Sequence, residues 1–530
     1  MPDTTHFVFF AVTCLPTLLS AQLGPLPFRT IDGSSNNINH PTWGMANIEL
    51  MRRAPVAYAD GVSAPGGATR PSARAVSNAL CAQDDQVPNA MGASDFVWQW
   101  GQFIDHDLDL TTALSPIEAF DIPVPIGDPF FDPLHTGTQT IALSRSVCEP
   151  DPLGVRQQMN VITSFLDGSM VYGSDAARAL ELRRLDGTGR LKTSAGDLLP
   201  FNVNAFPNAP VANDPTLFLA GDVRCNEQNG LTAMHTLFVR EHNYWASTFG
   251  VWMPASDDET RYQLARAIVA GEIQAITYNE WLPVLLGPGA LSPYAGYQAS
   301  CDATVANEFS TACFRVGHTM LNKSLLRRDA TGSEIAAGDL PLQLAFFNPG
   351  EIVAHGIDAL LRGLAMQPAQ EVDTLIVEDV RNFLFGPPGA GGFDLASLNL
   401  QRGRDHGLSS YNAMRVAYGL PARGSFKHIT HDRRVVQVLE NTYASVDDVD
   451  AWIGALAEDH VPGAMVGPLI SAVLVDQFTR ARDGDRFWYT SYLGAGLAAI
   501  IDTQTLAVII RRNTSIGTEL QDDVFLAPSN

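Results

Sequence analysis

Four ionisable residues crowd together in the otherwise apolar segment WQWGQFIDHDLDL, which ends at Leu110. They are Asp105, His106, Asp107 and Asp109. Carboxylates bind metal ions and exchange protons, and an imidazole changes its charge near neutral pH. Residues of these types at adjacent positions are therefore candidates for acid–base chemistry and for metal binding.

A helix from Asp95 to Leu110 would divide these side chains between two faces, because successive residues turn by about 100°. The polar face would carry Gln102, Asp105, His106 and Asp109. For an arbitrary helix, a solvated surface is the usual reason for such a face. Asp107 falls among the apolar residues instead, and a carboxylate turned toward a core requires a cation or several hydrogen bonds. We therefore expect a positive partner for Asp107.

The downstream loop ITSFLDGSMVYGSD offers such a partner site. Thr163, Phe165, Asp167 and Ser169 alternate so that the loop can present two hydroxyls, a backbone carbonyl and a carboxylate. Together with Asp107 they form an all-oxygen set with two negative charges, which suits Ca²⁺. The same composition also forms ordinary Asx and ST turns, so the loop alone leaves both interpretations open.

Three further segments place polar side chains next to apolar helices. Arg224 and Glu227 precede a strongly periodic helix, and His318 lies in the apolar segment FRVGHTMLN. Asn399 and Arg402 are spaced to lie on one face of a helix in LNLQRGRDHG. A lone histidine on an apolar helix is more often a hydrogen-bonded core residue than a metal ligand. Each segment alone indicates only a buried polar site.

The elements that must position these residues are mostly helices. The segments LTAMHTLFVREHNYWASTF and DETRYQLARAIVAGEIQAITYNEWLPVLL carry apolar residues at three- and four-residue intervals, and strand signals are few and short. Up to about Asp84 the chain is rich in Gly, Pro, Ser and Asn, which predicts extended loop. We predict a mainly α fold, with a single large helical domain, few short strands and a long N-terminal loop-rich segment.

Composition limits the classes of function. The chain has 530 residues, of which 46% are hydrophobic and 17% charged, so it can bury a large core. The net charge is −23 and no cluster of Lys and Arg stands out, which argues against nucleic-acid binding. The six cysteines show no metal-finger spacing, but they leave open a disulfide between Cys301 and Cys313.

The two apolar stretches near the termini have different interpretations. The run from Phe7 to Leu19 ends in small residues and is typical of a secretory signal, although no Lys or Arg precedes it. We predict a signal peptide at 1–21, a mature domain at 22–530 and a secreted protein. The stretch LGAGLAAIIDTQTLAVII is interrupted by polar residues from Asp502 to Thr505, so we expect it to pack on the body and not to span a membrane.

In their order and separation, these segments resemble the animal-type haem peroxidases, the superfamily of myeloperoxidase, lactoperoxidase and peroxidasin. The resemblance runs from about Phe28 to near the C-terminus. Its anchors are WGQFIDHDLDLT, ITSFLDGSMVYGS, MHTLFVREHN, RVGH and LNLQRGRDHG. It implies a helical domain that encloses a buried haem b and also binds Ca²⁺.

The resemblance implies three catalytic roles. His106 matches the distal histidine, which takes a proton from H₂O₂ and delivers it to the leaving oxygen. Arg224 matches the distal arginine, which stabilises charge on the peroxide. Gln102 matches a glutamine that hydrogen-bonds distal water or halide. These roles imply a reaction through an oxoferryl intermediate.

The resemblance also implies covalent attachment of the haem. Asp105 and Glu227 match the carboxylates that form ester links to haem methyl groups. The myeloperoxidase pattern has a methionine after the second carboxylate, where this chain has Gln228. That departure predicts two links at most and argues against efficient chloride oxidation. Cys225 also lies in this segment, and a thiol facing the haem would be open to oxidation.

Residues on the proximal side and at the calcium site follow in the same way. His318 matches the iron ligand, and Asn399 matches the residue that accepts the other ring N–H of that histidine. Arg402 matches an arginine that pairs with a haem propionate, and Arg315 is expected beside the same group. The calcium site of the family is matched by Asp107, Thr163, Phe165, Asp167 and Ser169. Because His106 and Asp107 are consecutive, we expect calcium removal to abolish turnover without removing iron.

The function implied is reduction of H₂O₂ with oxidation of bromide, iodide, thiocyanate or small phenols. Two other functions remain open. A fatty-acid haem dioxygenase shares the fold but uses a tyrosine three residues before the proximal histidine, where this chain has Arg315. A non-catalytic secreted adhesion or matrix protein could keep the scaffold, although every residue that the chemistry needs is present here.

Overall fold

The computed structural model describes residues 27–528, so the predicted signal peptide at 1–21 lies outside the described residues. Helices dominate, and the mainly α fold predicted from the sequence is confirmed. The α-helices are α1 (Ala73–Leu80), α2 (Phe96–Leu108), α3 (Ser169–Tyr172), α4 (Ala176–Glu181), α5 (Asn229–Trp252), α6 (Asp258–Ile276), α7 (Leu282–Leu286), α8 (Asn307–Thr311), α9 (Leu342–Ala345), α10 (Pro349–His355), α11 (Asp358–Met366), α12 (Glu378–Arg381), α13 (Leu395–Asp405), α14 (Tyr411–Ala417), α15 (Arg433–Thr442), α16 (Ala451–Leu456), α17 (Pro468–Asp483), α18 (Tyr489–Tyr492), α19 (Gly494–Ile501) and α20 (Leu506–Asn513).

Shorter helical turns and strands complete the architecture. The turns are one π-helical turn (Thr277–Trp281) and 3₁₀ helices at Cys313–Thr319, Phe426–His428 and Val446–Asp448. The strands are β1 (Ile48–Glu49), β2 (Ile122–Pro123), β3 (Thr140–Ile141), β4 (Cys148–Pro150), β5 (Arg156–Asn160), β6 (Ser324–Leu325) and β7 (Leu340–Pro341). They pair antiparallel as β1-β5-β4, β2-β3 and β6-β7.

Helix α5 forms the centre of the core. Residues 229–239 are buried on every side of the helix, whereas its C-terminal half keeps an exposed stripe that includes Tyr244 and Val251. The side chain of Gln228 caps its start by accepting a hydrogen bond from the backbone N–H of Gly230 at 2.6 Å. Helix α6 packs along α5, and the helical pattern that continues to Leu286 is broken by the π turn and by Pro283 in α7.

The N-terminal part of the chain is less irregular than predicted. Residues 27–72 contain only the short strand β1, but α1 forms between Ala73 and Leu80, inside the segment predicted as loop. Its amphipathic pattern is short, and Ser72 caps it by accepting a hydrogen bond from the N–H of Ala75 at 3.1 Å. The fully buried guanidinium of Arg74 then ties α1 to the rest of the molecule.

Residues 27–528 bear on two expectations, one about cysteines and one about membranes. All five cysteines there are free thiols, so Cys301 and Cys313 form no disulfide with each other. No single helix of this part is long and apolar enough to cross a membrane, and α19 and α20 meet that test only as a pair bent by 78°.

Arg74 supports the helix that carries part of the candidate site. Its Nε donates to Asp128 and its Nη1 to Asp394, both at 2.7 Å, and all three side chains are buried. Asp394 in turn caps α13 by accepting from the N–H of Ser397 at 3.1 Å. Removing the guanidinium would therefore leave two carboxylates buried without their cation.

We predict that Arg74→Ala lowers the free energy of unfolding by about 3–5 kcal/mol, because two buried carboxylates lose the cation that pairs with them. The control is Arg53→Ala, which removes an exposed ion pair with Asp476 and should cost about 1 kcal/mol or less. Chemical denaturation of the two variants tests this. Equal losses for both would contradict the structural role of Arg74.

Candidate active site

A cavity of about 520 Å³ lies between α2, the segment before α5, the 3₁₀ helix at Cys313–Thr319 and α13. Its volume is in the usual range for a site that takes a small molecule or cofactor. Apolar side chains make up much of the wall, among them Trp98, Leu143, Trp281, Phe314, Val316, Leu342, Phe346, Leu384 and Phe385. The predicted catalytic and haem-binding residues also line it: Gln102, Asp105, His106, Arg224, Glu227, Arg315, His318, Asn399 and Arg402.

Helix α2 presents its polar face to this cavity. Gln102, Asp105, His106 and Asp109 line the wall, while Asp107 points into the protein on another side. The helix is slightly shorter than expected from the pattern, because Asp95 precedes it and Asp109 ends it in an extended conformation. The polar face is therefore directed into an internal space and not into bulk solvent.

Arg224 is held by a carboxylate that the sequence analysis missed. Its Nε and Nη2 each donate to Asp222 at 2.8 Å, and Nη2 also donates to the carbonyl of Asp109 at 2.9 Å. Nη1 remains 3.6 Å from Asp105 and is the guanidinium nitrogen left for a ligand. Burial alone would raise the pKa of Asp222, but the charge and the hydrogen bonds of Arg224 outweigh it and hold that pKa well below its usual value. Asp222 stands two residues before Arg224, and the need of a buried arginine for a carboxylate was the available signal.

The imidazole of His106 is neutral across the physiological range. Burial lowers its pKa well below the usual value, and the nearby charge of Arg224 lowers it further. Its Nδ1 is buried without a hydrogen bond and lies 3.6 Å from Asp222. A neutral imidazole facing a cavity can accept a proton, which is the requirement for a general base.

Three glutamines form a chain of amide contacts beside the cavity. Nε2 of Gln228 donates to Oε1 of Gln99 at 2.6 Å and to Oε1 of Gln102 at 3.0 Å. Nε2 of Gln102 then donates to Oε2 of Glu227 at 2.7 Å. The amide oxygen of Gln102 accepts the hydrogen bond from Gln228. The amide nitrogen of Gln102 therefore faces Glu227 and the cavity. Sequence reasoning identified Gln102 and Gln228 but not this link between them.

The two predicted ester carboxyls are protonated more easily than ordinary carboxyls. Burial raises the pKa of Asp105 well above its usual value, and the neighbouring Asp109 raises it further. Burial also raises the pKa of Glu227, to about 7, against the opposing effect of its hydrogen bond from Gln102. Asp105 still presents 29% of its side chain to the cavity, so it is accessible to a bound ligand.

The proximal group differs from the expectation in one contact. Asn399 was predicted to accept the ring N–H of His318. In the structure its amide nitrogen Nδ2 instead faces Nδ1 of His318 at 2.8 Å. The reason is Arg315, whose Nη1 donates to Oδ1 of Asn399 at 2.9 Å and so holds the amide oxygen. Burial and the charge of Arg315 lower the pKa of His318 to about 3, which leaves a neutral imidazole. His318 lies in a 3₁₀ helix and not in the α-helix suggested by its apolar neighbours.

Arg402 lines the cavity but is already bonded on its other side. Its Nη1 donates to Asp405, to the hydroxyl of Ser146 and to the carbonyl of Ser144 at 2.8–2.9 Å. Cys225, by contrast, does not line the cavity. Its Sγ lies 3.4 Å from the carbonyl of Phe218, and burial raises the pKa of the thiol to about 12. The thiol is therefore protonated and directed away from the site.

The predicted calcium ligands come together behind α2. The carboxylate of Asp107 accepts from the hydroxyl of Ser169 at 2.8 Å and from the N–H of Gly168 at 3.0 Å. Asp167 accepts from the hydroxyl of Thr163 at 3.1 Å. Phe165 is buried in the same loop.

The negative charge of these predicted ligands is the feature that fits calcium. Two carboxylates are buried together, and Oδ2 of Asp167 has no hydrogen bond. Burial and Asp167 raise the pKa of Asp107 to about 8. No group of three or more His, Cys, Asp and Glu side chains within residues 27–528 is arranged to hold a metal, so neutral oxygens would complete any shell here. Two acidic oxygens plus hydroxyls and carbonyls suit Ca²⁺.

The cavity also fits a haem. It combines an apolar wall with a neutral imidazole, His318, and with two arginines that can meet propionates, namely Arg315 and Arg402. Asp105 and Glu227 are carboxyls held in the same space. A planar, anionic iron cofactor requires a cavity of this kind, in which apolar walls, cations and a free imidazole occur together.

A mainly helical fold around a cavity that fits a haem is the arrangement expected of a haem-binding oxidoreductase. The model of the family described as animal haem peroxidase matches residues 28–525, and this chain belongs to that family. Peroxinectin A of Dictyostelium discoideum is 36% identical over 539 residues, covering 98% of each chain. The solved structure of peroxidase A from the same organism has a TM-score of 0.89 and 34% identity, covering 94% of this chain and 99% of that one. The protein is a haem-dependent peroxidase.

The dioxygenases resemble this chain in fold alone. The solved fatty acid alpha-dioxygenase of Oryza sativa has a TM-score of 0.78. It is only 20% identical, over 97% of this chain and 92% of that one. The residue three positions before His318 is Arg315, and not the tyrosine that the sequence analysis expects of a dioxygenase.

The paired carboxylates predict a pH-dependent stability. A carboxyl whose pKa rises from 3.8 to about 8 on folding binds more protons in the folded state. The free energy of unfolding of the calcium-free protein should therefore fall as pH rises through that window. Calcium needs the ionised carboxylates, so its stabilising effect should be largest at the upper end. Melting temperatures in EGTA and in calcium chloride at several pH values measure both effects.

Asp107→Asn is the matched control, because it keeps the shape and cannot ionise. This variant should show neither the stabilisation by calcium nor the additional fall in the free energy of unfolding as pH rises. A variant that responds to calcium as strongly as the wild type would show that Asp107 is not a ligand.

Proposed function

We propose that this peroxidase reduces H₂O₂ while oxidising bromide, iodide, thiocyanate or small phenols. The observation that carries the proposal is the joint presence in one cavity of a neutral histidine and an arginine with a free guanidinium nitrogen. The proposed site residues are the catalytic, haem-binding and calcium-binding residues predicted from the sequence. The mature domain is proposed to span 22–530 and to be secreted after removal of residues 1–21.

Haem b is proposed to bind through the imidazole of His318. The bound haem would supply the two-electron redox chemistry that amino-acid side chains lack. For Nε2 to act as ligand, Nδ1 of His318 must carry the proton. The amide of Asn399 would then turn over, so that its oxygen accepts from Nδ1. That turn removes the acceptor of Arg315, whose guanidinium becomes available to a propionate together with that of Arg402.

Proton transfer is assigned to His106. A neutral imidazole can take a proton from H₂O₂ and return it to the departing oxygen. Arg224 stays charged because Asp222 binds two of its nitrogens, and its Nη1, which lies 3.6 Å from Asp105, would donate to the peroxide. Asp222 thus holds the guanidinium in place and leaves its Nη1 for the peroxide.

Anion binding is assigned to the amide of Gln102. Its nitrogen is the donor end directed toward Glu227, because Gln228 holds its oxygen. A halide or thiocyanate needs donors and not acceptors, so this orientation favours it. Asp105 and Glu227 are proposed to form up to two ester links, each through one carboxyl oxygen and each with one H₂O₂ as the two-electron oxidant, which leaves as two waters. Both carboxyls line the cavity.

Calcium is proposed to bind Asp107, Thr163, Phe165, Asp167 and Ser169. Its role would be to fix the C-terminal turn of α2, which carries the imidazole of His106 one residue before Asp107. Loss of the ion should therefore lower turnover without loss of haem.

The deciding experiment is the absorption spectrum of purified holoprotein before and after one equivalent of H₂O₂, with iodide and guaiacol as donors. We expect a Soret band that shifts with peroxide, donor oxidation that is lost in His106→Ala, and haem that stays with the polypeptide in acidified acetone. Asp105→Asn together with Glu227→Gln should make the haem extractable.

Other outcomes separate the hypotheses. Haem that extracts freely from the wild type would remove the ester assignment alone. A protein that binds haem, oxidises neither donor and takes up O₂ with linoleate would be a dioxygenase. A protein that binds no haem after reconstitution would retain only the scaffold role.

The amide chain predicts a specific effect of Gln228. Gln228→Leu should weaken bromide and thiocyanate binding to resting holoprotein and raise their KM several-fold, because the Gln102 amide is no longer oriented. Gln99→Leu keeps the contact between Gln228 and Gln102 and should have the smaller effect. Halide titration of the Soret band measures both. Equal anion affinity in Gln228→Leu and wild type would refute the orienting role.

A further inference from the structure

A second cavity, of about 470 Å³, opens at the surface beside the π turn, the loop after α7 and the start of α18. Its wall contains the four aromatic residues Tyr278, Tyr294, Trp488 and Tyr489. None of the wall residues, all of which lie within 27–528, belongs to the candidate active site. The peroxide chemistry proposed above makes no use of it.

A continuous row of rings joins this cavity to the active cavity. Trp281 lines the active cavity, and its ring centroid is 5.8 Å from that of Phe478. The next separations are 6.0 Å from Phe478 to Tyr278 and 4.8 Å from Tyr278 to Trp488. Trp488 lies 5.6 Å from Tyr294 in the surface cavity. Every step is within the contact range of aromatic pairs, so no gap interrupts the row.

Hydrogen bonds hold the rings in place. The indole N–H of Trp281 donates to the carbonyl of Val97 at 2.7 Å, and the hydroxyl of Tyr278 donates to the carbonyl of Phe478 at 2.5 Å. Trp281 and Tyr278 belong to the same π turn, a rare element that is frequent at functional sites. One turn of backbone therefore supplies a wall to each cavity.

The row contains the side chains that are most easily oxidised. Indole and phenol rings lose an electron far more readily than phenylalanine, so Phe478 serves only as a bridge in contact with both neighbours. The hydroxyl of Tyr278 donates to a carbonyl, which cannot take up a proton, so this tyrosine is poorly placed to become a lasting phenoxyl radical. Trp488 needs no proton acceptor to give up an electron. It is the residue at which an electron from a bound donor would enter the row.

We propose that the surface cavity is a second donor site, which binds phenols too bulky for the active cavity and passes their electrons along this row. The proposal rests on the peroxidase function proposed above. Two phenols each lose one electron and one proton at the surface. The two electrons travel through Trp488, Tyr278, Phe478 and Trp281, and with two protons from solvent they reduce one H₂O₂ to two waters. The phenols leave as phenoxyl radicals, and their protons enter solvent.

Arg482 shapes the donor site. Its guanidinium carbon lies 6.0 Å from the ring of Tyr278 and 5.6 Å from that of Tyr294. Nε donates to Asp483 and Nη1 to the carbonyl of Ser292, each at 2.8 Å. The charge is therefore paired, and the arginine braces two aromatic walls against each other.

The test compares a bulky donor, tyramine coupled to dextran, with guaiacol and iodide. Trp488→Phe should lower kcat/KM for tyramine–dextran by about tenfold and leave that for guaiacol and iodide within about twofold. Trp252→Phe, which changes a tryptophan outside both cavities, is the matched control and should affect none of the three donors. Freeze-quenched samples with H₂O₂ alone should also lose a tryptophan radical signal in Trp488→Phe.

A binding measurement covers the case in which Trp488→Phe fails to fold. Ala290→Trp fills the surface cavity, and calorimetry on the resting protein should show that it abolishes tyramine binding there. Equal oxidation of tyramine–dextran by wild type and by either folded variant would overturn the proposal and leave the peroxidase function intact. A wild type that oxidises neither guaiacol nor iodide would overturn both.

Discussion

The burial of two carboxylates, Asp107 and Asp167, in one small space is the constraint on which the candidate site depends. Burial and mutual repulsion raise the pKa of Asp107 to about 8, and one oxygen of Asp167 has no hydrogen bond. Hydroxyl and backbone donors offset part of that cost, and a divalent cation would offset the rest. Asp107 is also one residue from His106 in α2. The contacts that satisfy the carboxylates therefore also fix the position of the His106 imidazole, so the proposed calcium site and the proposed base share one turn of helix.

Burial disfavours the charged form of every ionisable group in the cavity. A group there keeps its charge more readily if an oppositely charged partner binds it. His106 and His318 have no carboxylate in hydrogen-bond contact, so desolvation prevails and both stay neutral. Arg224 keeps its charge because Asp222 binds it through two nitrogens. The outcome is a neutral base next to a permanent cation. The proposed peroxide chemistry needs this pair, since a protonated imidazole could not accept the first proton.

Periodicity and adjacency allowed much of this arrangement to be predicted. The faces of α2, the long apolar pattern of α5 and the all-oxygen loop follow from local spacing, which a sequence displays directly. Contacts between distant segments do not follow from it. Gln228 reaches Gln102 across the cavity wall, and Arg315 turns the amide of Asn399 away from the expected orientation. Helix α1 was missed because it is short and lies in a loop-rich segment, and the partners that tie its Arg74 to the molecule, Asp128 and Asp394, lie far along the chain.

The π turn at Thr277–Trp281 shows how one local irregularity can serve two cavities. In a regular α-helix, residues three apart lie on nearly the same face, so Tyr278 and Trp281 would point into the same space. The wider π turn sets them further apart around the axis, and Trp281 reaches the active cavity while Tyr278 reaches the surface cavity. Such turns are rare and occur mostly where function needs them. Pro283 lies just beyond the turn and cannot donate a backbone hydrogen bond, so the helix is already weakened here. The irregular turn is therefore least costly at the place where it connects the two cavities.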